Sequence, residues 1–179
     1  MYSQKIIERK IGLLHKKGIS LVENTLSTVD DYLERINKIV QPTGKLSRQL
    51  STKEEAFVKN EKLMCMVSFR YFCERYTYIL LDGGGEGRLK LSTSQTIALD
   101  RHLAPAEEQM YEQHDAGQPV DGLLFYWHKA RQLYATALCR ALTMHRMITK
   151  KDVRALAGSL DDDKIQELYD RDKLIYDRL

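Results

Sequence analysis

The residues best suited to chemistry lie in one short stretch. Lys129-Ala130-Arg131-Gln132-Leu133 and Thr136 stand between an apolar, aromatic-rich run of strand length (121–128) and a helix-forming segment. A phosphate-binding loop occupies that place in a P-loop fold. There, backbone N–H groups and a helix N-terminus hold phosphates, and a hydroxyl holds Mg²⁺. Against the pattern G-x-x-x-x-G-K-[ST], Thr136 supplies the hydroxyl. Ala135 stands at the Lys position, Tyr134 at the second Gly and Lys129 at the first, so the bare pattern is not met. Lys129 and Arg131 also read as solvated charges at a strand end, and Thr136 as an ordinary residue of a first helical turn.

Other candidates are weaker. The run Asp82-Gly83-Gly84-Gly85-Glu86-Gly87 has no Lys-Ser/Thr after it, no helix start beside it and an acid within it. It predicts a surface hairpin rather than a phosphate loop. Asp161-Asp162-Asp163 open a helix, where acids complement the dipole, and no four-residue apolar strand precedes them as a Walker-B acid requires. Cys65, Cys73 and Cys139 stand at no metal-ligand spacing and read as reduced core thiols. His128 reads as a strand-end residue, and no catalytic residue is assigned. Gln95 is the fourth residue of Ser92-x-x-Gln95, a capping box that needs no ligand.

Stepping outward along the chain, Ile7, Ile11 and Leu14 mark one helix, broken near Gly18. Val29, Tyr32, Leu33, Ile36 and Val40 mark a second, stopped by Pro42 and Gly44. Ser51-x-x-Glu54 caps a long segment dense in aromatics (Phe69, Tyr71, Phe72, Tyr76, Tyr78), whose mixed helical spacing reads as packing. Two extended pieces flank the glycines, and a helix runs from 94 to about 116 with a junction at Pro105. The stretches 121–128 and 152–158 read as strands around a helix with Ala137, Leu138, Ala141, Leu142 and His145 on one face. A last helix places Ile165, Leu168, Tyr169, Ile175 and Tyr176 together. Strand, loop, helix, strand is the grammar of a parallel sheet.

Composition agrees with a globular chain: 179 residues, 43% hydrophobic, 28 Lys+Arg against 25 Asp+Glu. No run approaches the ~18 apolar residues of a membrane span, and the N-terminus shows no apolar secretory core. The net charge of +3 is uneven, since residues 1–50 hold nine Lys/Arg against five acids and the remainder is balanced.

Lys129-Ala130-Arg131-Gln132-Leu133 followed by Thr136 resembles the relaxed phosphate loop of tailed-bacteriophage terminase large subunits, the motors that package viral DNA, where an Ala-Arg-Gln-Leu-Gly core is common. The likeness extends, in order and spacing, to NEKLMCMVSFRYFCERYTYI, to Ser92-Thr93-Ser94-Gln95 and to ALAGSLDDDKIQELYDRDKLIYD. It covers roughly residues 51–179 and corresponds to the N-terminal ATPase portion of that family.

The resemblance implies an α/β fold: an incomplete P-loop NTPase (ASCE-type) with a parallel sheet and helices. Residues 1–50, which the resemblance does not cover, read from their own helical spacing as an N-terminal helical arm. Residues 51–179 would form the N-terminal part of the ATPase domain, truncated before Walker B and without the nuclease domain. It implies ATP and Mg²⁺ as cofactors. Gln95 would read the adenine edge, Lys129 or Arg131 would neutralise phosphates, Gln132 would lie in the loop, and Thr136 would help ligate Mg²⁺. The implied partners are double-stranded DNA, the portal protein, the small terminase subunit and further copies in the full-length motor, in the host cytoplasm and transiently at the procapsid portal. Tyr134 departs from the family's Gly, where a tight turn at φ > 0 costs a bulky residue ~1–2 kcal/mol. That departure leaves a second expectation open: a degenerate, non-catalytic prophage module that contacts DNA, the small terminase subunit or the portal.

Overall fold

The computed structural model describes residues 4–80, 84–120 and 135–150, together with 163, 166, 169, 170 and 173. Among these, the architecture is mostly helical. Two helices, α1 (Gln4–His15) and α2 (Leu26–Asn37), precede α3 (Thr52–Val67) and α4 (Phe69–Tyr76). A hairpin of β1 (Tyr78–Leu80) and β2 (Glu86–Arg88) leads to α5 (Thr93–Ala98). A π-helical turn (Leu99–Leu103) joins α5 to α6 (Ala104–Asp115), and α7 (Ala135–Thr149) follows.

The expected parallel sheet is not the architecture of the described residues. Their sheet has two strands, antiparallel, with Tyr78 opposite Arg88 and Leu80 opposite Glu86. The glycines make this hairpin local: Gly84 and Gly85 sit at φ +81° and +85°, the left-handed region that only glycine enters cheaply, so the chain reverses at once. The segments 121–128 and 152–158, on which parallel pairing rested, lie outside the described residues.

Helix ends follow local chemistry. Ser51 Oγ accepts the Glu54 N–H, while the Glu54 carboxylate accepts the Ser51 N–H at 2.7 Å, a complete capping box. Arg48 adds a two-pronged bond to that carboxylate at 2.8 Å on both arms and holds it well below the usual carboxylate range. Gly18, Gly44 and Gly117 take positive φ where segments end. Pro105 lies in the first turn of α6, directly after the π-helical turn, where the switch of helix type accommodates a residue that lacks an N–H. One break has no Gly or Pro: Ser68, at φ −126° and ψ 109°, ends α3 and caps α4 by accepting the Tyr71 N–H.

The core centres on α4, whose Phe69, Phe72 and Cys73 are at most 1% exposed. From α7, Leu138, Ala141 and Met144 close over it, and Leu89, Leu99 and Leu103 seal the side beyond the hairpin. Burying a side chain of this size stabilises by ~1.5–3 kcal/mol. The aromatics at 69, 71, 72 and 76 are therefore packing. The N-terminal arm joins this core rather than standing apart: Val29 is fully buried in it, and Tyr32 stacks on Phe57 with ring centroids 4.2 Å apart. Helix α1 buries Ile6 and is clasped to α6 by Arg9, which bonds both oxygens of Asp115 and covers the Tyr111 ring, and by Lys5 to Glu112 at 3.0 Å. One expected core residue lies outside: Cys139 is exposed on α7. Tyr169, grouped with apolar residues on a helix face, is 62% exposed.

Candidate functional site

The five residues singled out in the sequence divide into two groups. Lys129, Arg131 and Gln132 lie outside the described residues, as do Tyr134 and His128. Gln95 and Thr136 are placed.

Thr136 sits in the first turn of α7, half-buried. Leu138, Ala141, Met144 and His145, spaced at three and four residues, anchor that helix against α3 and α4. Thr136 lies just N-terminal to these packed residues. The first-turn N–H groups of an α-helix have no intrahelical acceptor, which suits that end to an anion. The Thr136 hydroxyl is the one Mg²⁺-ligating oxygen that the expected loop could contribute from the described residues. No cluster of three or more His, Cys, Asp or Glu able to hold a metal occurs among them.

Gln95 stands at the third position of α5, immediately after the hairpin. Ser92 Oγ accepts the Gln95 N–H at 3.3 Å, and the Gln95 side-chain carbonyl accepts the Ser92 N–H at 2.8 Å. The residue is 3% exposed. The capping role is therefore realised. Reading an adenine edge would draw on the carbonyl's remaining lone pair and on local opening of a buried side chain.

Two polar centres had little signal in the sequence. Glu61 lies on the buried stripe of α3 between Phe57 and Cys65, and it is 4% exposed. Its carboxylate accepts the Tyr71 hydroxyl at 2.8 Å, the Tyr76 hydroxyl at 2.6 Å, and the Asn24 and Asn60 amides at 2.6 and 3.3 Å. Burial and this carboxylate push both phenols upward, so they remain neutral donors. A Glu at the i+4 position between two apolar residues was the available signal.

His145 is the second centre. Its ring lies 5.3 Å from those of Phe69 and Phe72, and Nε2 meets the Cys65 carbonyl at 2.7 Å, so Nε2 carries the proton and donates. Burial, with a smaller push from Lys10 and Lys150 nearby, pulls its pKa down to about 4. Burial also raises the Cys65 and Cys73 thiols, which makes them poor nucleophiles. Both centres are arranged to tie elements together. Comparison with known proteins found no matching family model, no matching curated protein and no matching solved structure.

Proposed function

We propose that this chain is the N-terminal portion of a terminase large subunit, which in full form couples ATP hydrolysis to packaging of double-stranded viral DNA and cleaves the concatemer. The observation that carries the reading is the placement of Thr136. It occupies the first turn of a core-anchored 15-residue helix directly after the Lys129–Leu133 stretch that resembles the family's loop. A phosphate loop needs that junction of loop and fixed helix N-terminus. Arg131 or Lys129 would neutralise the phosphates, Thr136 would ligate Mg²⁺, and Gln95 would meet the base. Portal, small subunit and DNA would be the partners of the full motor.

A second reading, a non-catalytic module descended from such a motor, is favoured by the Gln95 carbonyl already serving its own helix cap and by Tyr134 in the loop. Titration of Mg·ATP into the chain and into a Tyr134→Gly variant tests the proposal. The variant should bind about five- to thirtyfold more tightly, the equivalent of the ~1–2 kcal/mol that a bulky residue costs in a left-handed turn. Absence of binding to both proteins would count against a nucleotide site.

A further inference from the structure

Between α1 and the C-terminal ends of α3 and α7 lies a half-open pocket of about 230 Å³. Its floor is apolar, made by Leu13, Leu14, Leu63, Met66 and Val67. Its rim is cationic, made by Lys10, Lys17, Arg146 and Lys150, and among the described residues the lining holds no carboxylate. Leu13 is 52% exposed and Met66 37%, so the floor is open to water. Arg146 pairs with Glu107 of α6 behind the rim, and the Lys10 ammonium donates to the Met66 carbonyl at 3.3 Å. The cations also oppose one another: Lys10 falls to about pKa 8, first through burial and then through Arg146 and Lys150, and Lys150 is lowered as well. Positive charge is concentrated here beyond what the lining compensates, around a surface that water hydrates poorly.

We propose that this pocket docks an acidic helix of a partner protein, which seats a bulky apolar side chain on the floor and sets flanking carboxylates against Lys17, Lys150 and Lys10. Charge complementarity selects the occupant. A nucleic-acid backbone supplies anions but nothing to fill an apolar floor, and a membrane is too flat for a concave site. A helix with Leu or Phe beside Glu supplies both components at i,i+4 spacing. The proposal does not rest on the nucleotide reading, since its residues come from α1, α3 and the far end of α7.

The test is fluorescence anisotropy of the full chain with three probes: a labelled helical peptide of about fourteen residues carrying a Leu/Phe stripe flanked by Glu, the same peptide with every Glu replaced by Gln, and a duplex oligonucleotide. The acidic peptide should bind, and affinity should fall about tenfold for the Gln peptide and for a Lys17→Glu/Lys150→Glu variant, as expected of two or three partly desolvated ion pairs. Both substituted lysines are exposed, and an unchanged circular dichroism spectrum establishes that the variant is folded. A Leu13→Ser variant should weaken binding of both peptides. No binding of the acidic peptide overturns the proposal. So does equal binding of the Gln peptide or of the charge-reversed variant, and so does duplex binding tighter than peptide binding that depends on the same lysines.

Discussion

Protonation of His145 should set the stability of this protein in mild acid. In the folded chain the ring is 6% exposed between Phe69 and Phe72, donates to the Cys65 carbonyl, and faces Lys10 and Lys150, so its pKa stands at about 4. In the unfolded chain it returns to the ordinary ~6.5. The unfolded state therefore binds a proton first as pH falls. The stability this neutral histidine contributes is whole above pH ~6.5, drains away below it, and is gone once pH passes the folded value near 4. At ~1.4 kcal/mol per unit, the full window is worth about 3 kcal/mol, of which about 2 kcal/mol is lost between pH 7 and pH 5, before the carboxylates titrate. Urea unfolding at a series of pH values reads this directly. A His145→Leu variant, although less stable at pH 7 through loss of the Cys65 bond, should lack that portion of the slope. A native imidazole that titrates near 6.5 by NMR, or a variant with the same pH slope as the parent, would refute the reasoning.

Glu61→Gln should cost ~1–3 kcal/mol in urea unfolding. A single amide oxygen cannot accept from the Tyr71 and Tyr76 hydroxyls and the Asn24 amide together, and a buried donor left unmatched is penalised by that amount. Ser51→Ala should lower thermal stability by ~1 kcal/mol through loss of its side-chain cap. The Glu54 carboxylate, held low mainly by Arg48, should keep contributing until pH falls far below the usual range near 4.5, so Arg48→Ala should move the onset of acid unfolding to higher pH. Arg9→Ala should leave the urea midpoint nearly unchanged because its pair with Asp115 is solvent-screened, and a clear drop would mean that the α1–α6 clasp carries more than its ion pair.

Local chemistry was legible wherever a residue acts on its own neighbours. The capping boxes at Ser51 and Ser92, the glycine hairpin, the Pro105 junction and the Leu138/Ala141/His145 face of α7 all follow from short-range rules. What depends on tertiary placement was not. The break at Ser68 carries no Gly or Pro, and Val29 gives no sign in its own segment that it closes the core of the whole chain. Tyr169 shares an apolar periodicity yet is exposed, and nothing in the spacing of Lys10 marks it as lining a pocket. Of the candidate site, the cap of Gln95 and the helical position of Thr136 were readable from pattern. The strand stretches 121–128 and 152–158, from which a parallel sheet is expected, lie outside the described residues, and the described sheet is the glycine hairpin alone.

The proposed nucleotide would meet both Thr136, in the first turn of α7, and Gln95, in α5. Backbone amide NMR of the Tyr134→Gly chain titrated with Mg·ATP tests this most directly. The account predicts saturable shifts at both Thr136 and Gln95, forty-one positions apart in sequence, and loss of the Thr136 response without Mg²⁺. Saturating Mg·ATP that leaves both amides unmoved, or moves only residues elsewhere, would contradict it.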